Sequence, residues 1–147
     1  MERREFIKNT CLCAIGIPLG ISLLESCSLN YYAKYSKANN QLVVPLNEFV
    51  NVRNTKEINR KYVLIDAKVE GIDFPICLYK KEENKFVASL LKCTHRGCEL
   101  NVGGGIYTCP CHGSEFTIEG EVIEGPAEEK LKIFKTTIDN ENIYVYL

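Results

Sequence analysis

From residue 41 onward, apolar and polar positions alternate in short runs broken by turns, the period of half-buried β-strands. Residues 41–46 open a first strand, and 61–66 and 73–79 follow, split by a turn at Glu70-Gly71. A charged turn over 80–84 leads into a hairpin partner at 85–91. Residues 131–138 and 143–147 close the chain around a polar turn at 139–142. One helix is expected, around 47–54. Short strands rich in β-branched and aromatic residues, joined by turns, predict an all-β antiparallel sandwich or barrel. Residues 92–127 break the pattern: they are glycine-rich and hold four cysteines and both histidines of the chain. They are predicted to form a small subdomain inserted between two halves of the β base, within a domain spanning 41–147.

The first 27 residues have a different character. Arg3, Arg4 and Lys8 form a basic start, followed by sixteen residues, 9–24, without a charge. A bilayer-spanning helix needs roughly 20 apolar residues, so this run is short for a span and reads as the apolar part of an export signal. Arg3, Arg4, Phe6 and Lys8 resemble the twin-arginine export motif, with Glu2 where Ser or Thr is usual. Leu24, Glu25, Ser26 and Cys27 resemble a bacterial lipobox, in which Cys27 accepts the lipid, although Glu25 departs from the small residue usual there. Residues 1–27 are therefore either a cleaved lipoprotein signal or a retained anchor, and both place the domain at a membrane, exported to its periplasmic or extracytoplasmic face. Residues 28–40, with tyrosines at 31, 32 and 35 and no period, read as a tether, the tyrosines either at the membrane interface or in disordered chain.

Composition narrows the function. The chain has 147 residues, suited to one domain, and a formal net charge of −1, which excludes a strong electrostatic footprint for nucleic acid. Eight cysteines are about 5% of the chain, below the density of a disulfide scaffold, so they act locally. Cys11 and Cys13 read as apolar filler of the signal, and Cys77 as a small buried hydrophobe in an alternating strand.

The insertion carries the chemistry. Cys93 and His95 are separated by one residue, Cys109 and His112 by two, and Cys98 and Cys111 add one further cysteine to each segment. Two loops that each give one thiolate and one imidazole can grip a metal centre from opposite sides. A tetrahedral zinc accepts two Cys and two His, but zinc fingers space them otherwise and need no further cysteines. A two-iron, two-sulfide cluster with two Cys on one iron and two His on the other also fits.

The paired segments closely resemble the cluster-binding loops of the Rieske iron–sulfur proteins, in the disulfide-containing branch, and the flanking β segments resemble them loosely. The resemblance implies one [2Fe-2S] cluster, with Cys93 and Cys109 on the buried iron, His95 and His112 on the outer iron, and Cys98 bridged to Cys111. It implies that Ser114 donates its hydroxyl to a bridging sulfide, and that Gly125, Pro126 and Ala127 form the loop covering the cluster from a third side. A disulfide needs an oxidising compartment, in accord with the export signal. It further implies a membrane-tethered one-electron carrier. Its partner is a redox protein such as a cytochrome, or a quinol-oxidising membrane complex of the cytochrome bc type in which the chain is a subunit, or a molybdenum oxidase. No independent catalytic site is evident: a Rieske oxygenase needs a further iron held by two histidines and a carboxylate, and both histidines are already assigned.

Two positions depart from the family pattern. Arg96 stands where quinol-oxidising members typically have Leu, and either suggests an acidic or polar partner or points to solvent and decides nothing. The six acids with no base between 115 and 129 could instead steer a basic one, or form solvated loops. Phe116 stands where high-potential members often have Tyr, whose hydroxyl donates to a ligand sulfur. The potential is therefore expected below the top of the Rieske range of roughly −150 to +300 mV. Phe116→Tyr is expected to raise it, and a redox titration that shows no rise would remove the assigned role.

Overall fold

The computed structural model describes residues 30–53 and 56–147. The export motif, Cys11, Cys13 and the lipid-acceptor candidate Cys27 lie outside the described residues.

The chain runs through β1 (Ser36–Ala38), β2 (Gln41–Pro45), β3 (Val50–Arg53), β4 (Lys56–Asn59), β5 (Tyr62–Ile65), β6 (Ile76–Glu82) and β7 (Lys85–Leu90). It continues through β8 (Asn101–Gly103), β9 (Ile106–Thr108), β10 (Glu115–Thr117), β11 (Val122–Glu124), β12 (Ile133–Ile138) and β13 (Asn142–Tyr146). Seven strands form the base sheet in the order β1-β2-β13-β12-β7-β6-β5, four form a second sheet β11-β10-β9-β8, and β3 and β4 form a separate ribbon. All strand pairs are antiparallel. The expected all-β base with an inserted subdomain is the architecture observed.

Two expectations are corrected. The helix expected around 47–54 is a 3-10 turn at Leu46–Phe49 followed directly by β3. Phe49 and the alternating Val50, Asn51, Val52 favour extended chain, and β3 pairs with β4 instead. The stretch read as a tether is also part of the fold from residue 30 onward. Ala33 donates its N–H to the Leu64 carbonyl and Leu64 donates to the Tyr31 carbonyl, a parallel contact along the free edge of β5. Three residues later the chain pairs as β1 with β2 at the opposite edge of the same sheet. Three extended residues reach at most ~11 Å, so the two edges lie close together and the base sheet is rolled up. Edges that would otherwise offer unpaired backbone are covered in this way.

Tyrosines that in sequence read as membrane-interface residues or disordered chain serve this closure. The Tyr31 hydroxyl donates to Glu48 Oε2 at 2.8 Å, and the Arg60 guanidinium lies 3.7 Å from the Tyr31 ring centre. Arg60 Nη1 also donates to the carbonyls of Glu48 and Val50, each at 3.1 Å. The Tyr35 hydroxyl reaches the Asp66 carbonyl at 3.1 Å.

Two apolar cores explain the near-continuous hydrophobic runs of β5 and β6. Val63, Ile65, Ile76 and Leu78 point into the rolled base with Leu42, Val44 and Val145. Leu64 and Cys77, on the opposite face, pack under the four-stranded sheet with Leu91, Tyr107, Phe116 and Leu131. Strands buried on both faces lose the polar alternation. Cys77 is fully buried in that second core, and burial pushes its thiol up to about 12. A disulfide joins Cys98 to Cys111, 13 residues apart in sequence.

Arg60→Ala removes a cation–π contact and two carbonyl partners at the closure, and is expected to lower stability by about 2 kcal/mol in urea unfolding. Replacing both Cys98 and Cys111 with Ser opens a short loop and is expected to cost ~3 kcal/mol, read as a lower urea midpoint than the oxidised wild type.

Candidate metal centre

Two loops at the end of the four-stranded sheet are built alike. In the first, Cys93 N–H donates to the Cys98 carbonyl at 2.8 Å, and Gly97 N–H returns to the Cys93 carbonyl at 2.8 Å. In the second, Cys109 N–H donates to the Ser114 carbonyl at 2.8 Å, and Gly113 N–H returns to the Cys109 carbonyl at 3.0 Å. Each loop therefore starts on a cysteine, closes five residues later, and turns on a glycine at the fourth step. That step needs positive φ, +73° at Gly97 and +80° at Gly113, a backbone region side chains disfavour.

The matching rings place their opening cysteines at equivalent depth. Cys93 and Cys109 open the loops from the floor, are 2% and 3% exposed, and are free thiols. His95 is half-buried and His112 exposed. Their ring centres are 4.9 Å apart with planes at 87°. The remaining pair, Cys98 and Cys111, is consumed by the disulfide that joins the loops. The Cys109 sulfur lies within 4.8 Å of both disulfide sulfurs, which offer no thiolate of their own.

The electrostatics suit a cationic guest. Burial raises the Cys109 thiol, but backbone donation from Cys111, the Cys93 thiol and backbone donation from His112 outweigh it, so the net shift is downward. His95 Nδ1 is buried with no hydrogen-bond partner among the described residues. A buried ring nitrogen without a partner is costly unless something ligates it. Two buried thiols, two imidazoles side by side and an orphaned ring nitrogen fit a [2Fe-2S] cluster with mixed Cys and His ligation.

The surrounding segments fix the loops. Ser114 is fully buried, and its Oγ accepts the Ala127 N–H at 3.0 Å, which ties the second loop to the proline segment. The hydroxyl proton of Ser114 remains free to donate elsewhere. Thr94 Oγ1 donates to the Glu129 carbonyl at 2.6 Å and ties the first loop to the chain beyond that segment. Phe116 on β10 lies opposite Tyr107 on β9, and both are fully buried beneath the loops.

Tyr107 was not singled out from sequence. Its hydroxyl is buried beside Cys77 and Ser89 without a well-formed hydrogen bond, and burial pushes the phenol far above its ordinary range. Only the apolar alternation of Ile106, Tyr107 and Thr108 hinted that it faces inward. In the segment Gly125, Pro126 and Ala127, only Ala127 is buried, against Ser114.

The sequence is similar to known proteins. A cytochrome b6-f complex iron-sulfur subunit from Synechococcus sp. (strain JA-2-3B'a(2-13)) is 45% identical over 53 residues, 35% of this chain. A second, from Prochlorococcus marinus, is 44% identical over 55 residues, 36% of this chain. The matched stretch spans 31% of the length of each of these relatives. Among solved structures, the cyanobacterial plasma membrane Rieske protein PetC3 from Synechocystis PCC 6803 superposes with a TM-score of 0.48 at 32% identity, covering 56% of this chain and 92% of that one. The sequence matches the family described as the Rieske [2Fe-2S] domain over residues 48–135, more than half of its 147 residues. With the paired loops, the free buried thiols and the facing imidazoles, that match makes the chain a member of the Rieske [2Fe-2S] domain family.

Proposed function

We propose that this chain is a one-electron carrier whose single [2Fe-2S] cluster is held by Cys93 and Cys109 from below and by His95 and His112 from the solvent side. The observation that carries the reading is the division of six residues: two buried free thiols, two imidazoles 4.9 Å apart at the tip, and the other two cysteines spent on the bridge. When bound, such a cluster supplies reversible one-electron chemistry.

The protein's part is to hold and shield. The floor of Leu91, Tyr107, Phe116 and Leu131 excludes water from the thiol side. The Ser114 hydroxyl, anchored by the Ala127 N–H, has a proton to offer towards the site. The half-buried and exposed positions of His95 and His112 leave the imidazole edge as the shortest path to a partner.

The partner proposed is a redox protein of a membrane complex, supported by relatives named as iron-sulfur subunits of the cytochrome b6-f complex. We further propose that the domain is exported and tethered through its N-terminal region. The basic and apolar start of the sequence supports this, and so does a disulfide that persists only in an oxidising compartment. Among the described residues no helix is long and apolar enough to cross a membrane.

Iron and sulfide analysis with EPR of the reduced, purified protein tests the cluster. The expected outcome is equimolar iron and sulfide and a signal typical of mixed His/Cys ligation. A colourless zinc-containing protein would overturn it. Cys93→Ser and Cys109→Ser are expected to abolish iron binding, whereas Cys77→Ser is expected to retain it. Mass spectrometry of the mature N-terminus tests the tether: a lipid on Cys27 supports the lipoprotein, and an unmodified Met1 rules it out.

A further inference from the structure

We infer that a basic rim beside His95, formed by Lys92, Arg96 and Lys132, is the docking surface for an electron partner that presents carboxylates. The inference rests on the electron-carrier reading and names the chemistry of the partner at that same site.

The three cations border a cleft of about 390 Å³ that also reaches His95, Thr94 and Glu129. All three are exposed. Elsewhere on the described surface, Lys37, Lys81 and Lys85 are paired with Glu70, Glu119 and Glu82, whereas Lys61, Lys68 and Lys135, like the rim, are not. Among the described residues Lys92, Arg96 and Lys132 form no ion pair, and Glu129 is the one acid in the cleft wall. The two ammonium groups are held against aromatic rings. The Lys92 ammonium lies 5.4 Å from the Phe74 ring and that of Lys132 lies 4.7 Å from the Phe134 ring. Thr94, between Lys92 and Arg96, is fastened to the Glu129 carbonyl. Three cations without acidic partners, held around a concave surface that touches a cluster-ligand candidate, match a carboxylate-bearing face in sign and position.

Glu115, Glu119, Glu121 and Glu124 form an acidic flank along β10 and β11, in which Glu119 is paired with Lys81. The His95 loop with Lys132 is thus a basic part of the subdomain, and the strands β10 and β11 carry its acids. A charge separation of this kind turns an approaching partner before contact and raises the association rate in a salt-dependent way. An apolar seat is disfavoured, because burying Arg96 without a counter-ion costs more than it returns.

The test uses the full-length holoprotein and two one-electron oxidants of opposite charge. In stopped flow, ferricyanide takes one electron from the reduced protein and becomes ferrocyanide. Tris(phenanthroline)cobalt(III) does the same and becomes the cobalt(II) complex. The expected result is ferricyanide oxidation that slows as salt rises. The triple variant Lys92→Glu, Arg96→Glu and Lys132→Glu is expected to slow it about tenfold at low ionic strength, with the difference vanishing at high salt. A control of equal net charge, Lys61→Glu, Lys68→Glu and Lys135→Glu, is expected to stay within about twofold of wild type. If the control slows equally, net charge and not the rim is responsible and the inference fails. If the cobalt complex is the oxidant favoured by low salt, the acidic flank is the docking face and the inference fails.

Binding of fluorescently labelled poly-L-glutamate, followed by anisotropy, reads the rim without electron transfer. It is expected with wild type and lost in the rim triple variant, and no binding by wild type would overturn the proposal. Because this readout needs no redox step, it separates failure of the rim from failure of the carrier reading. Should the charge-reversed variant lose its visible spectrum, the Gln triple at the same positions takes its place.

Discussion

The closing hydrogen bonds of the two loops are the constraint on which the tip of the molecule depends. Each ring runs from a cysteine N–H to a carbonyl five residues on, with a glycine N–H returning to the cysteine. Because the rings match, the opening cysteines reach the same depth, and a single covalent bridge between Cys98 and Cys111 suffices to fix one loop against the other. The ligand candidates follow from this without further devices: thiols come from the ring starts at the floor, and imidazoles from the outer arc. The position of histidine within the arc, two residues after Cys93 but three after Cys109, is offset by the position of the bridging cysteine, which falls last in one ring and third in the other.

The base exists to hold that tip over a dry floor. β5 and β6 are buried on both faces, so the same strands that fill the rolled base also carry Leu64 and Cys77 up into the second core. Any shift of the four-stranded sheet would open this contact, and the loops inherit the rigidity of the sheet beneath them. Ser114 and Thr94 extend the same logic outward, one hydrogen bond each to the segment 127–129.

What sequence made legible was what chemistry restricts to few residue types. Thiolates, imidazoles and the spacing of Cys93, His95, Cys109 and His112 admit few readings, and strand alternation is a local signal. The closure of the base was not legible, because it depends on Tyr31 finding Glu48 and Arg60, and on Ala33 finding Leu64, contacts between residues far apart in the chain. Locally, residues 30–38 are polar and aperiodic and look like a linker. The helix expected at 47–54 failed for a related reason: its residues suit either state, and the partner that decides, β4, lies downstream. Tyr107 escaped notice because a buried tyrosine differs from a buried phenylalanine only in an atom whose surroundings are assembled by other strands.

The way the chain enters the domain has a mechanical meaning. Asn30 accepts a hydrogen bond from the Tyr62 hydroxyl at 3.1 Å, and that hydroxyl also stands 3.5 Å from the Val102 carbonyl of β8. From there residues 31–38 become the stave that shuts the base. A pull at Asn30 thus loads the sheet that carries the loops and the seam of the base together. Residues 30–38 therefore move with the base, and with the loops above it, as one stiff body.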